Sequence, residues 1–172
     1  KNFVGVEEFE HTDDNPLAKI LIQKLKERQW TISFAESCTG GSISTTITRI
    51  AGASEVFNGS IVSYSNDVKH TILGVSSDTL QKYGAVSKEC VEEMATGVKK
   101  LLQTDIALSV SGIAGPSGGT PEKPIGTVWM CLIVQDKVQT KLFHFGNNSR
   151  EYIIESAVFS ALAWILKSIL EL

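Results

Sequence analysis

The segment DIALSVSG, at residues 105–112, constrains the fold of this chain more than any other stretch. Its apolar run is typical of a strand that is buried on both faces of a sheet. A strand of this kind requires helices on both faces to cover it. The segment therefore predicts a fold in which a sheet lies between helical layers.

The rest of the chain alternates between helical and extended patterns. We expect the first helix to be capped by Asp14 or Asn15 and the last to run from Asn148 or Ser149 to the end. The other predicted helices cover residues 41–50, 65–74, 76–84 and 87–103, and the predicted strands cover residues 31–35, 57–64 and 105–112, with a hairpin of 125–135 and 138–146 around Asp136 and Lys137. This order predicts an α/β fold with a mixed sheet.

The composition indicates a cytoplasmic protein with a small-molecule ligand. The 172 residues fit one domain at 14–172, preceded by an acidic leader or linker at 1–13. A net charge of −3 with dispersed basic residues argues against nucleic acid as a partner. The three cysteines are far apart, the histidines are isolated, and charged residues interrupt the apolar stretches. We therefore expect a reducing compartment, no metal, no cofactor and no membrane span.

Three polar segments marked by glycine or asparagine follow predicted strands, at residues 36–41, 64–69 and 111–124. Ligands of open α/β sheets bind at the carboxyl ends of the strands. The three segments are therefore expected to form a single cleft.

In the first segment, FAESCTGG, a strand ends and a helix begins. Backbone N–H groups at a helix N-terminus suit an anion or a developing oxyanion. Gly40 and Gly41 allow close approach of a ligand, and Ser37 and Thr39 add hydroxyl groups. Cys38 is a weaker candidate nucleophile than Ser37 because the sequence supplies no histidine partner. A serine-rich turn that only caps the helix is the alternative.

The second segment, YSNDVKH, supplies Tyr64, Asn66 and Lys69. A lysine that is partly buried near a helix N-terminus has a lowered pKa and can act as a general base for a serine. His70 is an alternative base, and a solvated surface lysine is the alternative to any catalytic role.

In the third segment a long loop rich in glycine and proline follows Ser111, which is typical of ligand binding or of a mobile connection. Lys123 in this loop and Arg150 at the start of the last helix are candidates for anion binding. A surface arginine is the alternative for Arg150.

Taken together, five stretches of this chain resemble the C-terminal domain of the competence/damage-inducible protein CinA. They are AESCTGG, GSIVSYSNDVKHTILGV, GAVSKECVEEMA, SVSGIAGPSGGTPEKPIGTVW and FGNNSREYI, and the resemblance runs from about residue 17 to 170. It implies a three-layer α/β/α sandwich with a mixed, mostly parallel five-stranded sheet, similar to anticodon-binding-domain-like folds. It also implies metal-independent hydrolysis of the carboxamide of nicotinamide mononucleotide, which gives nicotinate mononucleotide and ammonia.

The resemblance assigns roles to the candidate residues. It implies that Ser37 is the nucleophile and Lys69 the base, with Tyr64 assisting. The residues that it implies for substrate binding are Thr39, Gly40, Gly41, Asn66, Ser111, Gly112, Gly115 and Arg150. Two other functions remain open, namely a non-catalytic module that binds a pyridine nucleotide and an interaction protein that serves DNA uptake or repair. We also expect a bacterial cytoplasmic location, and a homodimer because the last helix is long and apolar, with Phe159, Trp164, Leu166 and Leu170.

Overall fold

The computed structural model describes residues 15–172, so the predicted leader at 1–13 lies outside the described residues. Six helices, a short 3-10 helix and five strands alternate along this part of the chain. In order they are α1 (Pro16–Arg28), β1 (Ile32–Glu36), α2 (Ser42–Thr48), the 3-10 helix Ala53–Glu55, β2 (Phe57–Val62), α3 (Asn66–Thr71), α4 (Ser77–Lys82), α5 (Lys88–Leu102), β3 (Ile106–Gly112), β4 (Thr127–Val134), β5 (Lys137–His144) and α6 (Arg150–Leu170).

The five strands form one mixed sheet with the order β2-β1-β3-β4-β5. β1 pairs in parallel with both β2 and β3, and β4 pairs antiparallel with both β3 and β5. Four of the strands therefore run in one direction and β4 alone runs against them. The mixed sheet flanked by helices confirms the predicted α/β fold.

Side chains alternate between the two faces of the sheet, as the two-residue period of a strand requires. Phe34, Leu108 and Met130 point into a core shared with α1, α2 and α6. Ala35 and Ala107 point the other way, toward α5 and the turn after α3. Because both faces are buried, β3 is apolar along most of its length, as its sequence indicated.

Side-chain caps fix where several helices begin. Asn15 Oδ1 accepts a hydrogen bond from the Ala18 amide, and the Ser87 and Ser149 hydroxyls cap α5 and α6 in the same way. The hairpin differs from expectation by one residue. Val134 pairs with Lys137, so the turn consists of Gln135 and Asp136, and Gln135 adopts a left-handed conformation with φ of 54°.

Helix α6 has the length and hydropathy of a membrane span, with a mean hydropathy of 1.7 over its most apolar window. A helix in the core of a domain has the same composition. Here α6 packs against α1, α2 and β4, and Trp164 and Leu166 are among its ten buried residues. Phe159 and Leu170 remain exposed.

The sheet topology creates a crevice between the carboxyl ends of β1 and β3. The chain leaves β1 and returns through β2 on one side, whereas β3 lies on the other side of β1. Such switch points are where open α/β sheets hold their ligands. The segments that follow β1, β2 and β3 therefore meet at this edge.

Candidate active site

A cavity of about 230 Å³ lies in this crevice. It is lined by Ser37, Cys38, Tyr64, Asn66, Lys69, Ala85, Val86, Ser111, Gly112, Ala114 and Arg150. Two larger depressions, of about 410 and 440 Å³, are lined by residues of the β4–β5 turn at the opposite edge of the sheet. The reactive side chains nevertheless converge in the smaller cavity, which is therefore the candidate active site.

Ser37 and Lys69 are in direct contact at the base of this cavity. The Lys69 Nζ lies 3.0 Å from the Ser37 Oγ and donates to the Ser63 carbonyl at 2.6 Å. Ser37 follows directly after β1, and its own amide donates to the Val110 carbonyl of β3 at 3.0 Å. The pair thus has the geometry of a nucleophile with an adjacent base.

Burial controls the protonation of Lys69. Its side chain is only 1% exposed, and desolvation lowers its pKa below the ordinary lysine value of 10.5. Charge on the neighbouring Cys38 and Cys90 would raise the Lys69 pKa, but burial raises the pKa of these two thiols to about 12 and about 11. Both thiols therefore stay protonated at neutral pH, and the lysine is biased toward the neutral amine that a general base requires.

The turn after β1 is held in place by Glu36, a residue with no predicted role. Glu36 is fully buried at the end of β1, one residue beyond the predicted strand. Its carboxylate accepts hydrogen bonds from the Thr39 hydroxyl and from the Gly41, Ile43 and Ser44 amides at 2.7–3.1 Å. The only sequence signal was an acidic residue immediately before the nucleophile, within the same turn.

These bonds determine which amides of the turn are available to a ligand. The Gly40 amide donates to the Ser37 carbonyl at 3.0 Å, and the Gly41 amide donates to Glu36. Within residues 15–172, the amides of Cys38 and Thr39 donate to no other residue. Of these two residues only Cys38 lines the cavity, so its amide is the candidate oxyanion donor of the 37–41 turn.

Arg150 connects three segments at the mouth of the cavity. Its Nη1 donates to the Gly115 carbonyl at 3.0 Å and its Nη2 to the Tyr64 hydroxyl at 2.7 Å. Tyr64 thus bonds to Arg150 rather than to Lys69, and its side chain is 60% exposed. No carboxylate pairs with Arg150 in the described part of the chain. Its positive charge is therefore available to an anion.

Ser111 supports one wall of the cavity. Its buried hydroxyl donates to the Ala85 carbonyl at 2.8 Å, which ties the end of β3 to the segment that enters α5. Ala85 and Val86 line the cavity through this connection. They lie in GAVSKECVEEMA, one of the stretches that carry the family resemblance, but apolar residues before a helix cap are common and no role was predicted for them.

Three alternatives from the sequence are not supported by the geometry. Burial keeps the Cys38 thiol protonated at neutral pH, which makes it a poor nucleophile. The His70 Nδ1 lies 2.7 Å from the Val75 carbonyl, and His70 does not line the cavity. The Lys123 Nζ donates to the Tyr83 carbonyl at 2.7 Å, at the end of α4, rather than facing the cavity.

The cavity gathers most of the predicted site residues. Gly115 does not line it but accepts a hydrogen bond from Arg150, which does. The predicted residues that line it are Ser37, Tyr64, Asn66, Lys69, Ser111, Gly112 and Arg150. Thr39, Gly40 and Gly41 do not line it, since they belong to the turn behind Ser37. Among residues 15–172, no group of three or more His, Cys, Asp or Glu side chains is arranged to hold a metal ion.

The fold and site define an α/β/α domain with a buried serine–lysine pair at the switch point of its sheet. The model of the CinA C-terminal domain family matches residues 14–169, and the chain belongs to this family. It is 50% identical over 137 residues to a CinA-like protein of Thermotoga maritima, covering 80% of this chain and 34% of that protein. It is also 50% identical over 152 residues to one of Thermosipho melanesiensis, covering 87% and 37%. The chain thus spans about a third of the length of these relatives.

Solved structures of the family share this fold. The competence/damage inducible protein CihA from Agrobacterium tumefaciens superposes with a TM-score of 0.87 at 36% identity, covering 90% of this chain and 94% of that one. A CinA superfamily protein from Klebsiella pneumoniae superposes with a TM-score of 0.87 at 32% identity, covering 91% and 98%. The family and the fold are therefore shown both by sequence and by structure.

Proposed function

We propose that this domain hydrolyses the carboxamide of nicotinamide mononucleotide to nicotinate mononucleotide and ammonia, as a metal-independent amidohydrolase. The observation that carries the proposal is the 3.0 Å contact between the Lys69 Nζ and the Ser37 Oγ inside the cavity. A buried lysine of lowered pKa next to a serine is the arrangement that activates a hydroxyl for attack on an acyl carbon. Family membership makes the same activity the expected one.

Acylation begins with neutral Lys69. The amine takes the proton of the Ser37 hydroxyl while the Oγ bonds to the carboxamide carbon. The amide of Cys38, which lines the cavity, stabilises the oxyanion that develops on the carbonyl oxygen. Lys69 then gives its proton to the amide nitrogen, the C–N bond breaks, and ammonia leaves an ester on Ser37.

Deacylation repeats these steps with water. Lys69, neutral again, takes a proton from the water molecule, whose oxygen bonds to the ester carbon. Collapse of the tetrahedral intermediate breaks the bond to the Ser37 Oγ, which regains a proton from Lys69. The free acid is the product, and the two half-reactions use the same base and the same oxyanion donor.

The phosphate of the substrate bonds to Arg150. Its guanidinium lies at the mouth of the cavity and has no carboxylate partner among the described residues. A planar guanidinium binds phosphate with two parallel hydrogen bonds. The cavity of about 230 Å³ suits the pyridine ring and carboxamide, with the ribose and phosphate toward the mouth.

The proposal is tested by ammonia release from nicotinamide mononucleotide in the presence of EDTA. The wild-type chain, Ser37→Ala and Lys69→Ala are compared, and binding of the nucleotide is followed by calorimetry. We expect release by the wild type only, with binding retained by Ser37→Ala. A folded wild type that binds the nucleotide without releasing ammonia would contradict the proposal and favour a regulatory binding module.

A further inference from the structure

We propose that Glu36 is a positioning residue for the reaction, because its carboxylate holds the turn in which Ser37 and the two free amides lie. The identity of the substrate depends on the proposed function. The positioning role itself concerns the reactivity of Ser37 and can be measured without that substrate.

Both oxygens of the Glu36 carboxylate accept hydrogen bonds from the turn and from the start of α2. Its Oε2 accepts from the Thr39 hydroxyl at 2.7 Å and from the Gly41 and Ile43 amides, each at 3.1 Å. Its Oε1 accepts from the Ser44 amide at 2.9 Å and from the Ser44 hydroxyl. Two hydroxyl groups and three amides thus converge on one fully buried carboxylate.

This arrangement differs from the other helix caps of the chain. The caps Asn15, Ser65, Ser76, Ser87 and Ser149 each accept one amide from their own helix. The N-cap of α2 is Gly41, which has no side chain to offer. Glu36, at the end of the preceding strand, caps α2 instead. It therefore connects the end of β1, the turn and α2 into one unit.

The positions of the free Cys38 and Thr39 amides depend on the hydrogen bonds of Glu36. Glu36 takes the amides of Gly41, Ile43 and Ser44, while the Ser37 and Thr39 carbonyls take those of Gly40 and Ser42 at 3.0 Å. Without the carboxylate, three buried or partly buried amides lose their acceptor, and the turn must shift to satisfy them. Such a shift would move the Ser37 Oγ relative to Lys69 and would redirect the amides of Cys38 and Thr39.

The experiment compares Glu36→Gln with a matched control, Asp105→Asn. Asp105 also accepts an amide and a hydroxyl at a strand end, from Thr31 at 2.8 and 3.0 Å, but at the opposite edge of the sheet. We expect Glu36→Gln to lower kcat for nicotinamide mononucleotide about 10- to 100-fold, because small misplacements of reacting groups have effects of this size. KM should change less than about twofold, since the ligand-binding side chains remain in place. The Asp105→Asn variant should unfold at a lower urea concentration than the wild type and have an unchanged kcat.

A second readout is covalent labelling of Ser37 by a fluorophosphonate. The Oγ–P bond forms, the P–F bond breaks, fluoride leaves, and the serine proton passes to Lys69. The phosphoryl oxygen occupies the position of the oxyanion, so the labelling rate reports on the turn without the nucleotide. We expect Glu36→Gln to slow labelling by the same factor as kcat, Glu36→Asp to recover part of the rate because it keeps the charge, and Ser37→Ala to remain unlabelled.

The two readouts separate this inference from the proposed function. A wild type that is labelled but releases no ammonia, with labelling slowed in Glu36→Gln, contradicts the proposed substrate and supports the positioning role. Equal labelling of the wild type and Glu36→Gln, or no labelling of the wild type, overturns the positioning role. A decrease no larger than that of Asp105→Asn at the same loss of stability also overturns it. If Glu36→Gln does not fold, the labelling rate of Glu36→Asp decides in the same way.

Discussion

The Lys69 Nζ and the Ser37 Oγ lie 3.0 Å apart although 32 positions separate the two residues in the chain. They meet because β1 and β2 are parallel neighbours, with Glu36 opposite Val62 at their carboxyl ends. The chain after β1 begins with Ser37, and the chain after β2 leads into α3, which carries Lys69. The contact therefore depends on the register of two strands as well as on the two side chains.

Replacement of Lys69 should abolish turnover without unfolding the domain. Lys69→Met keeps most of the buried side chain but removes the base, and Lys69→Arg keeps a positive charge that cannot be lost at neutral pH. General-base catalysis contributes about 10²- to 10⁴-fold, so kcat should fall by at least about 100-fold in both variants. Ammonia release measures this, and Lys123→Met, whose amine bonds to Tyr83, is the control that should stay active.

Wild-type activity should rise with pH as Lys69 loses its proton. Burial lowers the pKa of Lys69 below 10.5, so the midpoint of this rise in kcat/KM must lie below 10.5. A profile measured from pH 5 to 11 covers this window and locates the midpoint. A flat profile across this range would contradict Lys69 as the base.

The same lowered pKa affects the stability of the folded state. Between the folded pKa of Lys69 and 10.5, the unfolded chain binds a proton that the folded chain does not. The free energy of unfolding must therefore rise with pH in this window, and this contribution is lost as the pH falls through the folded pKa. Urea unfolding of the wild type and Lys69→Met at several pH values should give a difference that grows with pH inside the window. Parallel pH dependences would show that Lys69 is protonated in the folded state.

The helices, the strands and the main site residues could be predicted from the sequence. The hydrogen bonds that hold the turn after β1 in place could not. Lys69 was predictable because a strand, a short polar link and a helix bring a residue of that helix back toward the strand end. Glu36 was missed because three of its five partners are backbone amides, which carry no residue-specific signal, and the other two are hydroxyls of common residue types. Tyr64 lines the cavity, and its bond to Arg150, 86 positions away, depends on how α6 packs.

Gly97 should be required for the packing of α5 on the turn after α3. A Cβ added at Gly97 would lie 1.9 Å from the Leu73 carbonyl oxygen, which is backbone and cannot turn aside. Gly97→Ala should therefore destabilise the domain by about 1–3 kcal/mol despite the better helix propensity of alanine. Urea unfolding measures the change, and Thr96→Ala, at an exposed position of the same helix, is the control. A Gly97→Ala variant as stable as the wild type would mean that α5 can move away from Leu73 at little cost.

We also expect a homodimer formed through the exposed apolar side chains of α6. Phe159 is 63% exposed and Tyr152, seven positions earlier on the same helical face, is 52% exposed. Phe159→Glu should convert the dimer to a monomer in light scattering. Val138→Glu changes a similarly exposed residue on the edge strand β5 and should leave the dimer intact. Dissociation by Val138→Glu alone would contradict an interface on α6.

Arg150 should discriminate nicotinamide mononucleotide from the same compound without its phosphate. Its guanidinium bonds only to the Gly115 carbonyl and the Tyr64 hydroxyl in the described part of the chain, so an incoming phosphate finds an unpaired cation. Loss of a hydrogen bond to a charged group costs about 1.5–3 kcal/mol, which is roughly 10- to 100-fold in affinity. Arg150→Gln should therefore raise KM for the nucleotide by about that factor and leave KM for nicotinamide riboside unchanged.

Tyr64→Phe, which removes one partner of Arg150 but keeps the cation, should retain most of the preference for the nucleotide. An equal rise of KM for both compounds in Arg150→Gln would show that Arg150 shapes the cavity instead of binding the phosphate.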